Sequence, residues 1–273
     1  MSHVGPMRLD FVKYQATGND FIVINNFATQ QYTYDPLLTQ QLCHRQFGIG
    51  ADGIITIEKH KYYDFEMLHY NADGSKGGGL CGNGSRAAIH YAQQLGLIEN
   101  KTQFWAMDGL HTGSINNQLI YFRLQDIMFI EQLHTGYFVD NGTRHYIEIV
   151  ENVHNVDMEE VGFPRRNMEP FQNEGVNLNF MQLSGNSIHL RTCECGLETE
   201  PLSCGTGAAA GALVAHIYYG LHSPIEIITK GGKLWIKFVR LPNGHFTEIY
   251  LIGNVNQSFH GVVDLGNLPE IVS

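Results

Sequence analysis

Cys81-Gly82-Asn83-Gly84 and Cys204-Gly205-Thr206-Gly207 are one four-residue phrase written twice, 123 positions apart. Each opens a stretch of small residues with helical periodicity, 84–95 and 207–219, and each stretch stops near a glycine, Gly96 and Gly220. Ala87 and Ala92 return as Ala210 and Ala215 at the same offset, and the run from Phe104 to Gly109 returns as Ile227 to Gly232. Upstream, strand-like runs lead to Asn71 in one half and Glu194 in the other, again 123 apart. Gly18-Asn19-Asp20-Phe21 has an echo in Val176-Asn177-Leu178-Asn179-Phe180 with the asparagines differently spaced. A solenoid repeats every ~20–50 residues, so a period this long predicts two similar domains. Packed about a pseudo-twofold axis, two such copies would set the two Cys-Gly turns face to face across an interdomain cleft, where ligand pockets form.

Around these turns the chain reads mostly as strand. Alternating or β-branched runs predict strands at 9–14, 21–25, 53–58, 64–70, 103–106, 113–115, 119–124, 136–139, 145–149, 175–182, 187–193, 225–229, 233–238 and 246–253. Shorter helices are expected at 36–45 and 157–162. The fold class is therefore α/β, in the α+β sense.

The composition narrows the function. Of 273 residues, 43% are hydrophobic, and 27 acidic against 17 basic side chains give a net charge of −10, with no Lys/Arg cluster. That balance speaks against nucleic acid and against an anionic membrane surface as partners. No run approaches the ~18 apolar residues of a spanning helix, and no signal-peptide core is present, so a cytoplasmic protein is expected. The five cysteines, Cys43, Cys81, Cys193, Cys195 and Cys204, suit a reducing compartment better than a disulfide framework.

A cysteine at the mouth of a glycine-rich turn that opens a helix has two physical properties. Unpaired N–H groups and the macrodipole favour a thiolate, by roughly one pKa unit at best. The same N–H groups bind an anion such as a carboxylate, and the glycines let it come close. Either turn alone reads more simply as a small buried residue at a tight bend. The duplication shifts the balance towards function, because two acid/base groups on opposite sides of one carbon are what inversion of a stereocentre requires. One thiolate removes the α-proton, the opposite thiol delivers a proton to the other face, and the helix N-termini stabilise the developing enediolate. The expected activity is racemisation or epimerisation of an α-amino acid without pyridoxal phosphate.

At this point the chain resembles the diaminopimelate epimerases. The resemblance lies in Gly18-Asn19-Asp20-Phe21, Phe47-Gly48-Ile49-Gly50-Ala51-Asp52-Gly53, Asn71-Ala72-Asp73-Gly74-Ser75, Cys81-Gly82-Asn83-Gly84-Ser85-Arg86, Val176-Asn177 and Leu202-Ser203-Cys204-Gly205-Thr206-Gly207. These occur in the family's order across nearly the whole chain. The resemblance implies two pseudo-symmetric domains, each a barrel-like sheet around a central helix, here 1–124 completed by 261–273, and 125–260. It implies Cys81 and Cys204 as the catalytic pair, with His145 and Glu194 tuning them, so that an imidazolium keeps one thiolate charged and a carboxylate raises the other thiol. Gly82, Asn83, Gly205 and Thr206 would hold the reacting carboxylate, and Asn19, Asn71 and Asn177 would contact substrate. It further implies a homodimer, no cofactor and no metal, and the interconversion of LL- and meso-diaminopimelate in lysine and peptidoglycan-precursor biosynthesis.

Two positions depart from the family. Gly-Asn-Pro-His becomes Gly142-Thr143-Arg144-His145, and Glu-Arg becomes Glu194-Cys195, which deletes a guanidinium expected to grip the distal carboxylate. Either Arg144 replaces that guanidinium, or the substrate is an amino acid lacking a distal carboxylate. A non-catalytic amino-acid-binding relative would not need both cysteines, and a cysteine hydrolase would need one dominant thiol. Gly48 to Gly53 satisfies G-x-G-x-x-G but leads into a strand, so a dinucleotide site is rejected. Cys193-Glu194-Cys195 without a second pair is weak evidence for metal, and a strand continuing through it would put both thiols on one face. Cys43 reads as core, and Lys76-Gly77-Gly78-Gly79 as a mobile lid.

Overall fold

The computed structural model describes residues 8–79, 81–167, 169 and 171–269. The chain divides into two compact units, Met1–Ile120 joined by Asn254–Ser273, and Tyr121–Gly253.

In the first unit the elements are β1 (Arg8–Ala16), β2 (Asn19–Asn25), α1 (Pro36–Cys43), β3 (Gly53–Glu58), β4 (Phe65–Asn71), α2 (Gly82–Gln94), β5 (Lys101–Ala106) and β6 (Gly109–Asn116). β7 (Leu119–Arg123) spans the boundary with the second unit. There follow β8 (Glu131–Leu133), β9 (Gly136–Asp140), β10 (Arg144–Ile149), a π-helical turn at Met158–Gly162 running into α3 (Phe163–Arg165), β11 (Asn177–Ser184), β12 (Ser187–Cys193), α4 (Gly205–Tyr219), β13 (Ile225–Thr229), β14 (Gly232–Arg240) and β15 (Phe246–Gly253). β16 (Asn256–Asp264) belongs to the first unit and pairs antiparallel with β1 along most of its length. The unit boundaries therefore fall at 120/121 and 253/254, earlier than 124/125 and 260/261, because the returning strand begins at Asn256; residues 270–273 of the expected returning segment lie outside the described residues.

The strand order is β16-β1-β2-β3-β4-β5-β6 in the first unit and β8-β9-β10-β11-β12-β13-β14-β15 in the second. The repeat is one of pairing as well as sequence. β2/β3 and β4/β5 are parallel, β3/β4 and β5/β6 antiparallel; β10/β11, β12/β13, β11/β12 and β13/β14 repeat that pattern. In both units the helix is the crossover between a parallel pair, as such a pair demands. One expected equivalence changes. Phe21 stands opposite Gly53, and His145 opposite Asn177, so Gly18-Asn19-Asp20-Phe21 matches Gly142-Thr143-Arg144-His145 rather than residues 176–180. Gly18 and Gly142 have φ of 87° and 88°, the left-handed turn that both loops need.

α2 packs against β1, β2, β3, β4 and β6, and α4 against β9 to β15. α4 is buried on every side from Gly207 to Ala215, which a helix of small apolar residues permits. The strand at 113–115 extends back to Gly109, and β8 was not expected, being three residues long. The helix at 157–162 is π-helical, with Gly162 N donating to Asp157 O at 3.3 Å; a Cβ on Gly162 would run into the Cys193 sulfur.

Candidate active site

Cys81 is the N-cap of α2. Its backbone is extended (φ −105°, ψ 97°), and its sulfur accepts from Gly84 N at 3.3 Å, occupying one of the N–H groups that every helix start leaves over. Asn19, entering β2 from the Gly18 turn, stands beside it: the Cys81 thiol lies 3.9 Å from Asn19 Oδ1, which also accepts from Asn83 Nδ2 at 3.4 Å. The other end of the Asn19 amide is fixed, donating to Asp52 at 2.7 Å. Asp52 and Asp20 share the Arg45 guanidinium, and Lys13 closes on Asp20. Those cations hold the Asp20 carboxyl below its usual range although burial works against them. Asn71, at the end of β4, donates to Ser75 Oγ at 2.9 Å and pairs with Gly53 across the sheet.

Cys204 is the N-cap of α4 with the same geometry (φ −126°, ψ 113°), its sulfur accepting from Gly207 N at 3.4 Å with Thr206 Oγ1 at 3.5 Å. Its surroundings differ. The Glu194 carboxyl is hydrogen-bonded to the Cys204 thiol, and burial together with that neighbouring carboxylate pushes the thiol well above the ordinary thiol range. Burial raises Glu194 as well, which the bond to Cys204 partly offsets. Asn177 Oδ1 accepts from Cys195 N at 2.7 Å, and Asn141 Nδ2 donates to Thr206 O at 2.8 Å. Thr143 follows the Gly142 turn, where its carbonyl accepts from Asn141 N at 3.3 Å.

His145 is fully buried, and its Nδ1 lies 3.2 Å from Asn179 Nδ2, while Nε2 has no hydrogen-bond partner among the described residues. Burial pushes the imidazole down to about 3, so it is neutral at pH 7 and supplies no positive charge to a thiolate.

Arg144 does not stand free for a substrate. Its guanidinium pairs with Glu174 and lies over the Phe138 ring, 5.6 Å from the centroid. The guanidinium beside the Cys195 loop is that of Arg166, which donates to the carbonyls of Glu194 and Leu197. β12 ends at Cys193, so Cys193 and Cys195 do not share a strand face; Cys193 is buried and Cys195 exposed. Cys43 is core, as expected. In the 76–79 stretch, Gly77 N is bonded to His69 O at 2.9 Å, whereas a Cβ added at Gly78 or Gly79 would meet nothing within 4 Å.

Residues outside the expected set also shape these turns. Asn179 donates to Asn177 O at 2.8 Å and accepts from Thr192 Oγ1 at 2.8 Å, so a polar residue in mid-strand serves as a hub under α4. Its signal in the sequence was an asparagine inside an apolar strand pattern. Arg86, in the interior of α2 among alanines, was the other. Among the described residues, no group of His, Cys, Asp and Glu is arranged to hold a metal, and no helix is long and apolar enough to cross a membrane.

The model of the diaminopimelate epimerase family matches residues 11–116 and 137–256. The chain belongs to this family. A diaminopimelate epimerase of Flavobacterium psychrophilum is 40% identical over 245 residues, 88% of this chain and 94% of its own length. Relatives of the same name from a Nitratiruptor species and from Aquifex aeolicus are 35% and 32% identical, covering 82% and 93% of this chain and 88% and 97% of their own. This family member is an isomerase of the epimerase class. Its mixed α/β fold extends further than its sequence likeness. A Bacillus anthracis phenazine biosynthesis protein of the PhzF family superimposes with a TM-score of 0.68 at 12% identity, covering 94% of this chain and 99% of that one. A probable proline racemase of Agrobacterium radiobacter gives 0.60 at 10% identity, covering 93% and 92%.

Proposed function

We propose that this epimerase interconverts LL- and meso-diaminopimelate by proton transfer between two thiols and the α-carbon, with no cofactor. One observation carries the reading: Cys81 and Cys204 cap equivalent helices in the same way, each sulfur held by the N–H three residues on. A thiolate takes the α-hydrogen as a proton, its bonding electrons remain as an enediolate, and the other thiol returns a proton to the opposite face. The thiol and thiolate exchange identities, so the reverse reaction uses the reverse roles. The helix N-termini, with Gly82, Asn83, Gly205 and Thr206, favour the reacting carboxylate and favour its enediolate more. Asn19, Asn71, Thr143 and Asn177 are assigned to substrate contact, and Glu194 to the protonation of Cys204. The reading places the chain in the cytoplasm as a homodimer, which the family resemblance implies.

A second reading concerns the far end of the substrate. With Arg144 engaged by Glu174, and Cys195 where the family has arginine, an α-amino acid lacking a distal carboxylate fits as a competing substrate. Turnover of LL-diaminopimelate against a panel of monocarboxylic amino acids, with wild type, Arg144→Ala and Cys195→Arg, separates the two. Turnover of diaminopimelate above all others, reduced in Arg144→Ala, supports the first reading with Arg144 as the distal grip. Turnover confined to monocarboxylic substrates, with diaminopimelate activity appearing only in Cys195→Arg, establishes the second.

A further inference from the structure

Arg86 is the largest fully buried side chain among the described residues, and no carboxylate among those residues pairs with it within 4.0 Å. Its Nη2 donates to Asn83 Oδ1 at 2.9 Å and Thr17 Oγ1 at 3.2 Å, its Nη1 reaches Gly82 O at 3.5 Å, and its Nε is unpaired. A guanidinium in such a place is costly unless an anion compensates it. Every acceptor it has is a neutral oxygen of the turn that Cys81 opens. The strands packed on α2 do not supply the missing charge. Lys13 on β1 and Asp20 on β2 are paired with each other, and Tyr14 is bonded to His90. Glu58 on β3 and Glu66 on β4 alternate onto the face opposite Ile57 and Met67, the face away from α2. His69 on β4 is pushed down to about 4 by burial, and His111 on β6 is paired with Asp108. Cys81 is the ionisable group whose field reaches Arg86, and burial lowers Arg86 only to about 10, so it remains a cation at neutral pH.

The duplicated copy sharpens the point. The position 123 residues beyond Arg86 is Ala209, and the position 123 beyond Asn71 is Glu194. The first turn thus has a buried cation and no carboxylate where the second has a carboxylate and no cation. We propose that Arg86 is the positioning residue that makes Cys81 the thiolate and leaves Cys204 the thiol in the resting enzyme, its guanidinium acting through the Cys81 turn without touching substrate. This rests on the two-thiol reading above.

Peptide-resolved alkylation by iodoacetamide across pH, on the full-length reduced protein without substrate, tests it. In wild type, Cys81 reacts with a midpoint below the ordinary thiol value of about 8.5 and more than tenfold faster at pH 7 than Cys204. Arg86→Gln raises the Cys81 midpoint by about one unit, slows its alkylation about tenfold at pH 7 and leaves Cys204 unchanged; the acid limb of kcat/KM moves up with it. Arg86→Lys, which keeps the charge but not the fork, retains most of the wild-type midpoint, whereas a merely structural role would leave Lys as impaired as Gln. A wild-type Cys81 that titrates with or above Cys204 overturns the proposal even if no variant folds, and so does an unmoved Cys81 midpoint in folded Arg86→Gln. Because no substrate is present, these outcomes stand apart from a failure of the epimerase reading, which would show as absent turnover with normal thiol titrations.

Discussion

The two thiol turns share backbone geometry and differ in charge. At the first, Cys81 is half-exposed and borders Asn19, Asn83 and the buried Arg86; at the second, Cys204 is buried and bonded to Glu194. The internal repeat accounts for the likeness; the proposed proton transfer would account for the difference. Two thiols with equal proton affinity would rest in the same state, whereas one deprotonation and one protonation need one of each.

The comparison breaks most visibly at Glu194. Glu194→Gln removes the negative charge from the Cys204 thiol, so that thiol's pKa falls and the basic limb of the rate profile shifts to lower pH. Turnover is expected to drop roughly 10²-fold, the low end of what a positioned acid or base contributes. A Glu194→Gln profile that superimposes on wild type would show that the carboxylate does not govern the second thiol.

Packing separates the turns next. A Cβ at Gly207 would stand 2.5 Å from Asn179 Oδ1, whose amide is locked by Thr192 and by the Asn177 and Tyr146 carbonyls. A Cβ at Gly84 would meet only the tip of Ile55 at 2.9 Å and two sulfur-bearing side chains at 3.3 Å, Cys81 and Met67. Gly207→Ala should therefore cost about 1–3 kcal/mol, as overpacking does, while Gly84→Ala stays within about 1 kcal/mol, its crowding offset by helix propensity. Urea denaturation decides the order; equal losses would mean that Asn179 is not the rigid element described.

How much of this was legible in the sequence follows from which forces act locally. The strand runs and both long helices follow from alternation and from the Cys-Gly turns, because burial on one face writes itself into the period. β16 did not, since its residues Asn256 to His260 are exposed and carry no alternation; its pairing with β1 is dictated by β1. Arg86 and Asn179 escaped because a polar residue in a helix or strand ordinarily faces water, and only tertiary packing makes these two interior. The pairing of Arg144 with Glu174 is out of reach of local pattern for a related reason: it joins residues 30 apart along the chain.

The smallest contrast is in acid stability. His145 in the second unit and His69 in the first are held neutral by burial at about 3 and about 4, against an ordinary 6.5. Below 6.5 the unfolded chain binds protons that the folded chain refuses, so this stabilisation is complete above 6.5 and is lost as pH falls towards 3 to 4, by about 1.4 kcal/mol per pH unit for each histidine. Replacing His145 by Gln should flatten the acid limb of a urea-denaturation series further towards low pH than replacing His69. An unchanged slope in both variants would show that neither ring is kept neutral.

The central claim is that each thiol exchanges one proton with the α-carbon. Mass spectrometry of diaminopimelate recovered from the reduced wild-type enzyme in D2O tests it directly. The account predicts one deuterium at each inverted α-carbon, and loss of at least 10³-fold in inversion when either Cys81 or Cys204 is changed to serine. Inversion that continues in the Cys81→Ser/Cys204→Ser double variant, or wild-type inversion without deuterium uptake, would contradict it.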